Sequence, residues 1–167
     1  MSDLFSIQLQ NRQQQGRDGV WLDLPTTTEQ VQTALRQIGI SSDNPQGLFI
    51  SGYFAEEEKR IAIPYNMVLA SSVDELNFLA ARLETLSAGE RAELNAALQT
   101  PQGELSSIGR ITDFPENVEY YVHLPDVRGP VQLGDYYLNR SGMVDMPEEW
   151  KAGIFLPRFG LHIANVE

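Results

Sequence analysis

The chain has 167 residues, of which 42% are hydrophobic and 21% charged, with no cysteine. That describes a folded protein with one sizeable core or a few small ones in tandem, and it removes disulfide frameworks, thiolate catalysis and Cys-ligated metals. With 23 acidic against 12 basic residues the formal net charge is −11, so direct nucleic-acid binding is disfavoured and a basic partner favoured.

The opening MSDLFSIQLQ lacks a basic and then an apolar region, so no secretion signal is expected. No apolar run approaches the roughly eighteen residues a membrane span needs. A cytoplasmic, membrane-free protein is the expectation. The plainer explanation of the acidity is solubility.

Taken in order, Leu4, Phe5, Ile7 and Leu9 alternate as a strand. The polar run NRQQQGRDG forms a loop broken by Gly16 and Gly19, and Val20 to Leu24 read as a second strand stopped by Pro25. Thr26 followed by Glu29 has capping-box spacing. Val31, Leu35 and Ile38 recur on one helical face, and Gly39 can close the helix in the left-handed conformation. SSDNPQG is a loop, LFISGYF a third strand, EEEKR an exposed turn and IAI a short strand before Pro64. Residues 1–64 thus predict a small antiparallel sheet carrying one helix.

Residues 65–100 predict helix throughout. Ser72 with Glu75, and Ser87 with Glu90, have capping-box spacing. Leu76, Leu79, Ala80, Leu83 and Leu86 form one apolar stripe, and Leu94, Ala97 and Leu98 another. Such stripes are core, and neither helix is stable alone.

Residues 101–167 are rich in breakers: Pro101, Gly103, Gly109, Pro115, Pro125, Gly129 and Pro130. NVEYYVHL has strand composition. VQLGDYYLNRSG reads as a strand or short helix ending in a turn at Ser141–Gly142, Asp145 to Trp150 as a short helix, and FGLHIANV as a closing strand. The expected fold class is α+β: an elongated chain of three small domains at 1–64, 65–100 and 101–167, with the third an α+β unit.

Catalytic patterns are absent. There is no phosphate-binding G-x-x-x-x-G-K-[ST], no G-x-G-x-x-G and no G-x-S-x-G. The imidazoles of His123 and His162 sit in apolar, strand-like runs where a structural histidine is the commoner outcome, which outweighs a small hydrolase built on either. The carboxylates fall on loops and outward helix positions, which suits neither a glycosidase pair nor a metal cage. The reading is of a non-enzyme with no cofactor and no metal.

What remains is the distribution of acid. Residues 65–125 hold six of the eleven net negative charges. DNA carries one charge per ~1.7 Å of duplex axis, so the 23 carboxylates of one chain could match only about a dozen base pairs even if all faced one way, and a dimer could match more.

Several pieces then resemble one family. Gly19-Val-Trp-Leu-Asp-Leu-Pro25, the stretch Ser72 to Leu86 continued by Glu90 to Leu98, and Leu133-Gly134-Asp-Tyr136 with Gly142, Met146-Pro147-Glu148 and Phe159-Gly160 look like successive parts of the ArdA antirestriction proteins of conjugative plasmids, transposons and phages. The resemblance implies a dimer of three-domain, curved protomers that imitates bent B-form DNA. Its target would be the DNA-binding groove of type I restriction–modification enzymes. By that resemblance Asp74, Glu75, Glu84, Glu90 and Glu93 stand in for phosphates, and Glu104, Asp113, Glu116 and Glu119 extend the charged track. The alternative is an acidic interaction module that binds another basic DNA-binding or nucleoid protein and modulates transcription.

Overall fold

The computed structural model describes residues 4–14, 16–41, 43–100 and 103–166. Pro101, and Gln15 and Ser42 in two of the expected loops, lie outside them. The fold class is α+β, and the chain divides into two compact units, Met1–His123 and Leu124–Glu167.

In the first unit, β1 (Phe5–Asn11), β2 (Val20–Leu24) and β3 (Leu48–Phe54) form an antiparallel sheet in the order β2-β1-β3. Alternation along β1 turns Phe5, Ile7 and Leu9 inward and Ser6, Gln8 and Gln10 outward. Ile7 stands opposite both Leu22 and Tyr53, so one face of the sheet is apolar across all three strands.

The first helix, α1 (Thr28–Gln37), starts one residue later than its spacing predicts. The Gln30 N–H donates to Thr27 Oγ1 at 3.4 Å, which makes Thr27 the cap. Thr26 is engaged elsewhere. Its N–H donates to Asn77 Oδ1 at 2.8 Å, and its carbonyl accepts from Asn77 Nδ2 at 3.0 Å. Gly39 closes the helix at φ +71°.

The expected strand at 61–63 is absent. Ile61 and Ile63 are buried, but side chains take the place of a ladder partner. Tyr53 Oη donates to the Ile61 carbonyl at 2.9 Å, and the Ala62 N–H donates to Asn95 Oδ1 at 2.7 Å.

The helices α2 (Tyr65–Ala70), α3 (Val73–Glu84) and α4 (Ala88–Gln99) follow. Both capping boxes form as the spacing predicts. Leu76, Leu79, Ala80, Leu83 and Leu86 are buried on one stripe, and Leu94 is buried on α4. The apolar cluster continues from the sheet through these helices to Ile111 on α5 (Ile108–Thr112) and Phe114 on α6 (Phe114–Asn117).

The strand predicted at 117–124 is also overturned. Val118–Tyr120 is a single 3-10 turn, closed by the Tyr121 N–H donating to the Val118 carbonyl. The Tyr121 ring packs on Phe114 at 4.9 Å between centroids, while Tyr120 and Val122 are exposed. Among the described residues this segment pairs with no strand, and the ring contact holds it in its place despite its strand composition.

The second unit holds α7 (Pro130–Asn139), α8 (Glu148–Lys151) and α9 (Leu156–Val166). The 131–142 segment is thus the helix of the two conformations expected, turning at Gly142 with φ +72°. The closing strand at 159–166 is instead helix. Gly160 and Ile163 are buried three residues apart on α9, and Gly134 and Leu138 four apart on α7, which is helical rather than strand periodicity. Among the described residues, 103–166 contains no strand, which corrects the α+β expectation for that segment.

Candidate functional site

The acids expected to form a charged track lie on α3, α4 and α6 and on the turns around them. Glu75 and Glu90 each occupy the third position of a helix. The Ser72 N–H donates to Glu75 Oε2 at 3.0 Å, and the Ser87 N–H donates to Glu90 Oε2 at 2.7 Å. These two carboxylates cap helices and still present charge to solvent. Hydrogen bonds from the Ser87 backbone and hydroxyl hold the Glu90 carboxyl below its usual range, against a smaller upward push from desolvation.

Asp74 lies exposed in the first turn of α3 and Glu84 exposed at its last residue. Ten residues at 1.5 Å rise separate them by about 15 Å. Glu93 follows Glu90 on the same side of α4, one turn on.

Glu104, Asp113, Glu116 and Glu119 are all exposed. The fold gathers Glu93, Glu104 and Asp113 around Tyr121. One surface depression of about 430 Å³ is lined by Glu93, Glu104, Tyr121 and His123. A second, of about 580 Å³, is lined by Glu104, Asp113, Arg110 and Tyr121. Burial, and then the Glu104 charge, push the Tyr121 hydroxyl up, with Arg110 opposing. Arg110 Nη1 donates to the Glu104 carbonyl at 2.8 Å rather than to a carboxylate.

Glu116 is drawn aside, since Arg82 Nη2 lies 2.6 Å from its Oε1. The other ion pairs among the described residues are Lys59–Glu56 at 3.3 Å, Arg140–Asp135 at 3.7 Å and Lys151–Glu148 at 2.7 Å. Arg82, Arg110 and Tyr121 carry no local sequence signal for this surface, because their partners come from other elements.

His123 and His162 are exposed, not buried in apolar strands as their neighbours suggest, because those strands do not form. Among the described residues no group of three or more His, Asp or Glu is arranged to hold a metal, and no helix is long and apolar enough to cross a membrane.

Residues 15–162 match a family model described as Antirestriction protein (ArdA). No curated protein matches the sequence.

Proposed function

Because the chain belongs to the ArdA antirestriction family, we propose that it inhibits restriction by mimicking B-form DNA and occupying the DNA-binding groove of type I restriction–modification enzymes. The observation that carries this reading is the unneutralised carboxylate surplus. The formal charge is −11, and of the nine acids in the track only Glu116 pairs with a basic side chain among the described residues.

The mechanism needs no chemistry, cofactor or metal. Basic groove residues that would neutralise phosphates meet Asp74, Glu75, Glu84, Glu90 and Glu93, with Glu104, Asp113, Glu116 and Glu119 continuing the track. Both surfaces release counterions on contact, so binding weakens as salt rises.

Mimicry of a longer duplex calls for a homodimer. Support comes from the second unit, which buries Leu138 and Ile163 but exposes Val131, Trp150, Phe155 and Leu161. A unit that small needs additional apolar burial for stability.

The test is cleavage of unmodified plasmid by a purified type I enzyme with increasing amounts of this protein, at two salt concentrations. Near-stoichiometric inhibition that fades with salt is expected. Replacing Asp74, Glu75, Glu84, Glu90 and Glu93 with their amides should abolish it. Glutamine at 75 and 90 still completes a capping box, so the variant should fold. A folded amide variant that inhibits fully would place the contacts elsewhere. A folded wild type that does not inhibit would move the acidic surface to another basic partner, such as a nucleoid protein.

A further inference from the structure

Neither the core nor the carboxylate track accounts for the indole of Trp21. It stands on the edge strand β2, opposite Gln8, which in turn stands opposite Gly52. The next outward row is Asp23, Ser6 and Phe54. From β2 the indole reaches over β1 to β3, so that a Cβ at Gly52 would lie 3.0 Å from Trp21 Cη2 and 3.1 Å from Gln8 Cβ. Glycine at 52 therefore leaves the space into which the ring settles. Ser51 Oγ donates to Gln8 Oε1 at 3.1 Å and holds the amide beneath it.

The outward surface of this arrangement is open, with Trp21 49% and Phe54 59% exposed. Asp23 shares the face, two residues along the strand. Its carboxylate accepts from Ser6 Oγ at 2.5 Å and pairs with no basic side chain among the described residues. At the edge of the sheet, between β2 and α1, a depression of about 460 Å³ is lined by Trp21, Asp23 and Glu29 together with neutral residues of β2, α1 and the Pro25–Thr26 link, and by no lysine or arginine. Elsewhere on the same sheet, the Arg12 guanidinium already lies over the Phe49 ring, 5.2 Å from its centroid.

We propose that the outward face of the sheet, centred on Trp21 and Asp23, is a docking platform for arginine side chains of the basic partner. A guanidinium stacks on the open side of the indole, and Asp23 accepts from its N–H groups. Charge complementarity selects this occupant, because a chain at −11 repels nucleic acid and attracts cations. Arginine is preferred to lysine because its planar, weakly hydrated group can stack and donate together. The inference rests on the reading of this chain as a ligand for a basic groove, and adds to it a contact that salt screens less than an exposed charge pair.

The test uses the full chain with Trp150→Phe, which leaves Trp21 as the only indole. It is titrated with fluorescently labelled arginine and lysine homopeptides of equal length, following indole emission and peptide anisotropy. The arginine peptide should shift Trp21 emission and bind several-fold tighter than the lysine peptide. Trp21→Leu, which keeps an apolar cover over Gly52, should weaken arginine-peptide binding by roughly tenfold and lysine-peptide binding far less. Equal affinity for both peptides, or unchanged arginine binding in a folded Trp21→Leu variant, would overturn the proposal. A wild type that fails to inhibit restriction while Trp21 still prefers arginine would remove the restriction enzyme as partner and leave the platform standing.

Discussion

Replacing Gly160 with alanine tests how the second unit is held together. Gly160 lies inside α9, where alanine by itself would favour the helix by about 1 kcal/mol. Here the added Cβ would run into the carbonyl of Pro130 at the start of α7, and that is backbone, which cannot rotate away. To restore van der Waals distance, α7 and α9 must separate by an ångström or more. That loosens Leu138 and Ile163, the buried large apolar side chains of the unit. Full burial of each contributes roughly 1.5–3 kcal/mol, and overpacking adds about 1–3 kcal/mol of strain. A net loss of about 3 kcal/mol follows, against a stability of roughly 2–7 kcal/mol for a unit of this size.

The readout is amide hydrogen exchange by mass spectrometry, peptide by peptide. Residues 130–139 and 156–166 should lose protection, while 73–84 in the first unit keeps it. Gly89→Ala is the control. Its Cβ meets only Ser87 Oγ, at 4.0 Å, so it should leave exchange unchanged or slow it in α4. Unaltered protection of α7 and α9 in Gly160→Ala would refute the packing argument.

Two further outcomes are expected. Burial pushes the Tyr53 hydroxyl from 10.0 to about 12, against a smaller pull from Arg60. Its folded pKa lies above its unfolded one, so its contribution is complete below pH 10 and lost as pH rises through about 12. Tyr53→Phe forfeits the bond to Ile61, costing about 1 kcal/mol near neutrality, yet should lose stability less steeply above pH 10. Denaturant midpoints that run parallel for the two proteins across that range would contradict this. Separately, Arg82→Gln releases Glu116 from its 2.6 Å pair. An exposed pair contributes at most about 1 kcal/mol, so the fold should hold. Inhibition of cleavage should then strengthen at low salt and converge with wild type at high salt, and a weaker inhibitor would show that the pair organises the surface instead of shielding it.

What the sequence determines unaided is whatever a few neighbouring residues decide. The boxes at Ser72–Glu75 and Ser87–Glu90 form because hydroxyl and carboxylate lie within one turn of the amides they satisfy. β2 and β3 run over the predicted residues because alternation and flanking breakers are local signals. The Leu76–Leu86 stripe is core because period alone puts those side chains on one face. Asp74, Glu75 and Glu84 are exposed on α3 as the complement of that stripe.

Tertiary structure decided the rest. Thr26 yields the cap to Thr27 because Asn77, from α3, holds its backbone. Ile61 and Ile63 are buried without a strand because Tyr53 and Asn95 supply the hydrogen bonds a ladder would have made. The runs at 117–124 and 159–166 are apolar enough for strand or helix, and short runs cannot be told apart by period. Tyr121 settles the first by packing on Phe114, and Gly160 the second by admitting α7 against α9. The gathering of Glu93, Glu104 and Asp113 around Tyr121, the capture of Glu116 by Arg82, and the reach of Trp21 to Gly52 all join residues distant in the chain. Contacts of that kind leave no periodic or local trace, so only the folded chain could reveal which charges stand free and where the Trp21 ring comes to rest.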